Sequence, residues 1–284
     1  MLTENTIMYH YCSVDTFMKI MQSNTIWLSH VQTTNDRLDD RMFTASFERV
    51  IKKHKQEDNP NTELLEKLYT GYMEKVDFPY IACFTHSKDL LSHWRAYGDD
   101  GRGVCIGFDL SKFSYCDLMN EVHGTNSPIV LIDEVAYHDN DDELIEKLLS
   151  ASNILKKQYN VSDEFSLLHT VLNGIDRLSI FLKSEAFREE REIRMVYFPH
   201  YDELLAKLSG SDLSECHGLP IRFRSRGSQI VSYFEYPLAP NSICELIFGP
   251  KSEVDYKQLT LFLNQYAPDI RKKNRIHFSK ISYR

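Results

Sequence analysis

Short apolar runs of strand length recur along the chain at irregular intervals, and this arrangement limits the possible folds more than any other feature. Helical stretches separate the runs, but without the regular strand–helix alternation that builds a parallel α/β sheet. The pattern therefore predicts an α+β fold. The predicted strands are residues 9–11, 25–29, 79–84, 104–110, 129–137, 193–198, 219–223, 229–236, 244–249 and 276–281.

Apolar residues spaced three and four apart predict helices between these strands. Ser13 is a good N-cap for the first helix, because its hydroxyl can accept a hydrogen bond from the first turn. A break at 59–61 divides the charged stretch 38–75 into two helices. The predicted helices are residues 14–21, 38–75, 87–97, 141–150, 164–183 and 254–265.

The length of 284 residues allows one large domain or two small ones. No internal repeat and no Gly/Ser-rich linker divides the chain, and the candidate site residues are spread from His10 to Arg226. We therefore expect one α+β domain over 1–284, with helical insertions at about 38–75 and 139–188.

Composition narrows the classes of function. The 33 Lys and Arg against 41 Asp and Glu give a net charge of −8, which argues against a broadly basic nucleic-acid-binding protein. No apolar run reaches the roughly 20 residues of a membrane helix, and the N-terminus lacks a signal-peptide pattern. The six cysteines are scattered without a CxxC pair, which favours reduced, buried thiols over a zinc site. We expect a cytoplasmic protein that does not bind membranes.

The first candidate constellation is Tyr9-His10-Tyr11. Side chains alternate along a strand, so His10 faces away from both tyrosines. His10 is either a core histidine or a neutral imidazole in a pocket floor that binds a ligand hydroxyl.

The second constellation is the predicted helix end at 92–98, which contains Trp94 and Tyr97. These rings are either core anchors or a shelf for a nucleoside. Arg95 and Arg102 flank the following glycine-containing turn and could bind a phosphate. That turn matches neither a Rossmann fingerprint nor a P-loop.

The third constellation, residues 188–194, is the most specific. Strand spacing places Glu190, Glu192 and Arg194 on one face. The face is either a solvated charge run or part of a cleft. In a cleft, Arg194 could keep one carboxylate ionised while the other orients a sugar hydroxyl.

The fourth constellation is Arg222, Arg224 and Arg226, which alternate ahead of Gly227. Three guanidinium groups on one strand face suit a pyrophosphate or a nucleic-acid backbone, or else a charged edge that prevents strand pairing. The acids at 139–142 suit a metal, but they stand at a predicted helix start, where acids are common anyway.

The order of these motifs resembles the bacterial and phage-associated domain-of-unknown-function family two-nine-seven-one over nearly the whole chain. The family usually continues its Asn-Asp pair with proline, whereas this chain has Arg37. The residues that carry the resemblance are Tyr9-His10-Tyr11, Asn35-Asp36, Cys83-Phe84, Trp94-x-x-Tyr97, 103–108, Val135-Ala136-Tyr137, Lys183 and Glu190-x-Glu192-x-Arg194.

That family is in turn distantly similar to the ADP-ribosyltransferase superfamily. The resemblance implies a split pair of antiparallel or mixed sheets that grip NAD, with flanking helices and no metal. It implies that His10 binds a ribose hydroxyl, that Tyr97 or Trp94 faces the nicotinamide, and that Glu192 or Glu190 is catalytic. The other NAD-binding candidates are Tyr11, Arg95, Arg194, Arg222 and Arg224.

We therefore expect an NAD-dependent ADP-ribosyltransferase or an NAD glycohydrolase, acting as a toxin-like or phage-defence effector. The acceptor is open between protein, nucleic acid, a small molecule and water. The alternative is a non-catalytic module that senses nucleotides or nucleic acid through the arginine strip. A metal-dependent nuclease ranks third, because Glu190, Glu192 and Asp36 form only a loose set of carboxylates.

Overall fold

The computed structural model describes residues 2–33, 37–74, 79–116, 122–123, 130–138, 142–147, 149, 174–175, 179–199, 219–272 and 275–283. The predictions on Asn35-Asp36, on residues 139–141 and on most of the helix 164–183 lie outside these ranges.

The strands are β1 (Ile7–Cys12), β2 (Thr25–His30), β3 (Tyr80–Thr85), β4 (Val104–Asp109), β5 (Tyr115–Cys116), β6 (Val122–His123), β7 (Val130–Glu134), β8 (Ala136–Tyr137), β9 (Leu182–Lys183), β10 (Glu192–Tyr197), β11 (Ile221–Arg226), β12 (Gln229–Pro237), β13 (Ile243–Phe248) and β14 (Ile276–Phe278).

Helices accompany the strands, and among the residues without full helix bounds, 142–147 are also helical. The chain is therefore α+β, with a mixed and mostly antiparallel sheet, as predicted. None of the described helices combines the length and the apolar character needed to cross a bilayer. The helices are α1 (Val14–Ser23), α2 (Arg37–Gln56), α3 (Thr62–Met73), α4 (Leu91–Ala96), α5 (Tyr256–Tyr266) and α6 (Pro268–Lys272).

The chain divides into two compact units. The first consists of Met1–His30, Pro79–Glu134 and Glu190–Arg284, and the second of Val31–Phe78 and Val135–Glu189. The insertions predicted at about 38–75 and 139–188 fall within the two segments of the second unit.

The sheet of the first unit forks at β3. One edge of β3 pairs with β10 along its whole length, from Thr85 to Tyr80. The other edge is shared, because β1 pairs with Thr85 while β2 pairs with Ile81 and Tyr80. One arm of the fork continues through β1, β4, β13 and β14, and the other through β2, β12 and β11. Beyond β10 lies β7.

Local sequence explains the first helix of this unit. The Ser13 side chain accepts a hydrogen bond from the Thr16 N–H at 3.2 Å and starts α1, which confirms the predicted N-cap. Phe17 and Ile20 are buried on one helical face, and Phe17 packs edge-on against Phe248 at 6.0 Å between ring centroids. Each such side chain contributes about 1.5–3 kcal/mol by leaving water.

The second unit has its own apolar core, built where α2 and α3 pack together. Phe43 and Phe47 of α2 contact Tyr72 of α3, at ring distances of 5.5 and 6.2 Å. The predicted break at 59–61 is confirmed between these helices. Residues 182–183, predicted as the end of a helix, instead form β9, which pairs in parallel with β8.

Cys12, Cys83, Cys105 and Cys244 are free thiols, in agreement with the scattered spacing of the cysteines. Cys12, Cys105 and Cys244 are buried, and Cys83 is half-buried. Burial raises the pKa of Cys244 to about 11, so its thiol is protonated at neutral pH.

Candidate functional site

Three strand ends meet at one edge of the first unit. Because β3 and β7 both run antiparallel to β10, their ends lie beside the start of β10. Polar residues collect there, and we call this group the β10 corner. It consists of Thr85, His86, Tyr97, Glu134 and Glu190.

The contact between Tyr97 and Glu190 joins two motifs that are 93 residues apart in the chain. The Tyr97 hydroxyl donates to Glu190 Oε1 at 2.8 Å. The Thr85 hydroxyl donates to the main-chain carbonyl of Glu190 at 2.7 Å, which fixes the backbone below the carboxylate. Tyr97 is 38% exposed, so one aromatic surface remains open to a ligand beside a carboxylate.

Glu190 does not lie on β10, contrary to the prediction. It ends a 3-10 helix, Glu185–Glu190, and Arg191 then takes a left-handed backbone with φ +43°. This turn separates Glu190 from the strand, which starts at Glu192. The strand spacing assumed for Glu190 is therefore wrong, although the spacing of Glu192 and Arg194 holds.

Glu192 and Arg194 form a buried ion pair. Arg194 Nε lies 2.8 Å from Glu192 Oε1 and Nη2 lies 3.2 Å from Oε2, so the guanidinium engages both carboxylate oxygens. Their exposed fractions are 4% and 1%. A solvated charge run is excluded for these two residues, because both side chains are almost completely buried. Buried charges are tolerated when they are paired in this way.

His86 and Glu134 were not predicted as site residues. The ring atom Nε2 of His86 lies 2.9 Å from Glu134 Oε1. The main-chain N–H of His86 donates to the main-chain carbonyl of Arg191 at 3.2 Å. A histidine held by a carboxylate is a common acid–base arrangement. In the sequence, these two residues are marked by their position, because His86 and Glu134 both come just after apolar runs of strand length.

Trp94 is fully buried, so it is an anchor and not a ligand shelf. Its Nε1 donates to Asp89 Oδ1 at 2.7 Å, and its ring packs edge-on against Tyr11 at 4.7 Å. A Cβ on Gly98 would lie 2.6 Å from Trp94 Cε3, so only glycine fits where the chain turns over the indole. Of the two predicted rings, Trp94 and Tyr97, only Tyr97 is accessible to a ligand.

Tyr11, which is predicted among the NAD-binding residues, is buried and hydrogen-bonded within the first unit. Its buried hydroxyl donates to the carbonyl of Ser87 at 3.0 Å and accepts from the N–H of Leu90 at 3.1 Å. These bonds hold the segment ahead of α4 in a non-helical form. The helix therefore runs from Leu91 to Ala96 and not over the predicted 87–97.

The turn that follows Tyr97 is unusually constrained. Asp99, Asp100 and Gly101 are consecutive left-handed residues, with φ of 50°, 51° and 85°. Hydrogen bonds from Tyr283, near the C-terminus, and from Lys251 hold Asp100 and lower the pKa of its carboxyl group. The predicted phosphate ligands Arg95 and Arg102 are exposed on either side of this turn.

His10 occupies the fork of the sheet. Its Nδ1 donates to the carbonyl of Cys83 at 2.9 Å, at the point where β1 and β2 separate along β3. As predicted, it faces away from the tyrosines, and its ring contacts Phe84 at 5.7 Å. Register places Glu192 on the face of Thr85 and Tyr9 instead. His10 and Glu192 therefore lie on opposite faces of the sheet.

The three arginines of β11 share one face, as predicted from their alternation. Arg224 stacks on Trp27 and Tyr233, while Arg222 lies 3.8 Å from Glu235. Strand β11 is four strands from β10 along the sheet, which corresponds to roughly 19 Å at about 4.8 Å per strand. Arg222 and Arg224 are therefore separate from the β10 corner.

In the second unit, Lys183 is buried with its ammonium group 4.8 Å from the ring centroid of Phe187. In the described residues of both units, no three His, Cys, Asp or Glu side chains are grouped so that they could hold a metal ion.

One family model, described as "Protein of unknown function (DUF2971)", matches residues 93–195. This match supports the similarity to that family for about a third of the chain. The predicted family resemblance is confirmed for these residues, whereas the motifs before residue 93 lie outside the match. The matched DUF2971 segment starts in α4 and ends in β10, so its two ends meet at the contact between Tyr97 and Glu190. No curated protein matches the chain, and no solved structure does.

Proposed function

We propose that the β10 corner binds NAD and breaks the bond between nicotinamide and ribose, as an ADP-ribosyltransferase or an NAD glycohydrolase. The observation that carries the proposal is the Tyr97–Glu190 contact, which places an exposed aromatic ring beside a carboxylate. An aromatic ring can stack on the nicotinamide, and a fixed carboxylate can stabilise positive charge on the sugar.

Glu190 is the better candidate of the two glutamates for the catalytic role. It is half-buried and reaches the surface beside Tyr97, whereas both carboxylate oxygens of Glu192 are held by buried Arg194. Glu192 is then a positioning residue, because its ion pair holds the start of β10 directly after the turn that carries Glu190.

The chemistry requires one bond to break and one to form. Nicotinamide leaves with the electron pair of its bond to the ribose, and positive charge develops on the sugar. Glu190 stabilises that charge. An acceptor hydroxyl, amine or water forms the new bond to the ribose and loses a proton, for which His86 beside Glu134 is a suitable base.

The sugar and phosphates of NAD would extend away from this ring–carboxylate pair. Arg95 and Arg102 are the exposed guanidinium groups beside Tyr97, and they suit the pyrophosphate. The fold proposed from the resemblance is a split sheet of the ADP-ribosyltransferase type, and the fork at β3 supports it. An enzyme that consumes NAD suits the toxin-like or phage-defence role.

The test is nicotinamide release from NAD by the purified chain, measured by chromatography with and without cell extract as a source of acceptors. We expect release by the natural protein and its loss in Glu190→Gln. Tyr97→Phe keeps the ring but removes the hydrogen bond, so we expect a reduced rate. The adjacent Glu189→Gln is the matched control and should behave as the natural protein. If the natural protein binds no NAD and releases nothing in either condition, the proposal is wrong.

The non-catalytic alternative is a nucleotide- or nucleic-acid-sensing module that uses the arginine face of β11. It requires that Arg222→Ala with Arg224→Ala abolishes nucleic-acid binding while Glu190→Gln leaves function intact. A nucleic-acid backbone accounts for the arginine face but not for the apolar side chains on the other face of the same strand. A metal-dependent nuclease ranks last, and loss of activity with a chelator would favour it.

A further inference from the structure

The hairpin formed by β11 and β12 has two chemically different faces. Register pairs Arg222 with Tyr233, Arg224 with Val231 and Arg226 with Gln229, so these residues share the first face. The second face carries Ile221, Phe223 and Ile230. Alternate residues of one strand therefore present cations on one side and apolar groups on the other.

The apolar face is open over the outer part of the hairpin. Ile221, Phe223 and Ile230 are 50%, 63% and 83% exposed. Single exposed apolar residues are ordinary, but three that cluster on one hairpin face form a patch that suits a partner.

The arginine face is held in place by aromatic rings. The Arg224 guanidinium lies 5.0 Å from the Trp27 ring centroid and 5.7 Å from that of Tyr233, and its Nη2 donates to Ser29 Oγ at 3.0 Å. Its Nε is buried and has no hydrogen-bond partner in the described ranges. Such stacking orders the cation before any partner arrives, which lowers the entropy cost of binding.

Strand β11 is also an edge of the part of the sheet that the structure describes. Among the described strands it pairs with β12 alone. An edge strand presents main-chain N–H and C=O groups that a further strand can bind.

We propose that β11 docks an extended polypeptide segment of a partner protein, in which acidic side chains alternate with apolar ones. Added as a strand beside β11, such a segment places its acids beside the arginines and its apolar groups beside Ile221 and Phe223. The charge of the arginine face selects acidic over basic partners. This proposal does not depend on the proposed function.

Two other occupants explain less of the surface. A second copy of this chain, docked edge to edge through β11, would bring arginines against arginines. A single-stranded nucleic acid would contact the arginines but leave the apolar face exposed. An alternating acidic and apolar strand accounts for both faces and for the open edge.

The probe is a fluorescein-labelled peptide of alternating Glu and Val, followed by fluorescence anisotropy with the full chain. A peptide of alternating Lys and Val is the charge control. We expect the acidic peptide to bind and the basic one not to bind. Arg222→Gln with Arg226→Gln should weaken binding by about tenfold or more, and so should Ile221→Ser with Phe223→Ser. Arg102→Gln removes an exposed arginine elsewhere and should leave binding unchanged.

Main-chain pairing is tested with two N-methylated versions of the acidic peptide. One has methyl groups on the odd main-chain nitrogens and the other on the even ones, so each blocks one edge of the peptide strand. We expect one version to lose binding and the other to keep it. Far-ultraviolet circular dichroism confirms that each protein variant is folded.

Several results would overturn the proposal. They are an acidic peptide that does not bind at millimolar concentration, equal binding of both N-methylated peptides, and binding that the Ile221/Phe223 variant leaves unchanged. Tight binding of oligo(dT) that only the arginine variant loses would identify a nucleic-acid surface. A dimer in sedimentation experiments that is lost in both the arginine variant and the apolar variant would identify a second copy as the occupant.

Discussion

The starts of β10 and β11 carry the same kind of sequence pattern and have opposite environments. Charged residues alternate in Glu190-x-Glu192-x-Arg194 and again in Arg222-x-Arg224-x-Arg226. In β10, Glu192 and Arg194 are buried as an ion pair, whereas the arginines of β11 lie at the sheet edge. The two strands also differ in the strands that pair with them. Among the described strands, β10 is paired on both sides and β11 on one, and the β10 charges are buried whereas the β11 arginines are exposed or half-buried.

The largest expected effect tests the buried side of this comparison. Arg194→Met leaves the Glu192 carboxylate buried without its cation, which should lower the free energy of unfolding by about 3–5 kcal/mol. Denaturant titration measures it. Arg222→Met is the matched substitution at the edge and should change the same quantity by less than about 0.5 kcal/mol.

The double variant Glu192→Leu with Arg194→Met sharpens that result. It removes both charges, so most of the lost stability should return, because no unpaired ion remains. A double variant as unstable as Arg194→Met would show that packing, and not the unpaired charge, causes the loss.

The contribution of His10 to the free energy of unfolding is expected to be smaller, and it depends on pH. Burial lowers the pKa of His10 below its ordinary value of 6.5, so the unfolded chain binds a proton at this site before the folded chain does. The contribution of His10 to stability is therefore complete above about pH 6.5 and decreases as the pH falls below it.

His10→Asn isolates this contribution. The asparagine amide can still donate to the carbonyl of Cys83, but it does not titrate. The difference in unfolding free energy between the natural protein and His10→Asn should therefore change with pH below about 6.5 and be constant above it. A difference that stays constant over the whole range contradicts a buried, neutral His10.

Tyr97→Phe should have a modest effect on stability, because it removes one hydrogen bond at a half-exposed position. We expect a loss of about 0.5–1.5 kcal/mol in the free energy of unfolding. A loss as large as that of Arg194→Met would show that Tyr97 is a core residue and not an accessible ring of the β10 corner.

The smallest effect is spectroscopic and uses the only two tryptophans of the chain, Trp27 and Trp94. Trp94 is fully buried against Tyr11, and Trp27 is half-buried beneath Arg224. In Trp27→Phe the remaining emission should resist quenching by iodide. In Trp94→Phe it should be quenched more, with the Arg224 and Lys19 cations beside Trp27 favouring approach of the anion.

Local chemistry made much of the fold predictable from the sequence. The Ser13 cap, the break at 59–61 and the opposite faces of His10 and its neighbouring tyrosines follow from rules that act over a few residues. The alternation of arginines on β11 belongs to the same class, because it depends only on the period of a strand.

The candidate site was less predictable, because it depends on contacts between distant segments. The left-handed Arg191 that removes Glu190 from the strand has no sequence signal, since that conformation usually favours glycine or asparagine. His86 and Glu134 are 48 residues apart and pair because β3 and β7 flank β10. The role of His10 depends on the fork at β3, which only the strand order shows.

The most direct test compares Glu190→Gln with Glu192→Gln in the same denaturant titration. We expect Glu192→Gln to lower the free energy of unfolding by about 3 kcal/mol or more, because buried Arg194 loses its counter-charge, and Glu190→Gln to lower it by less than about 1 kcal/mol. Equal losses, or a larger loss for Glu190→Gln, would contradict the division between a structural carboxylate and a ligand-facing one.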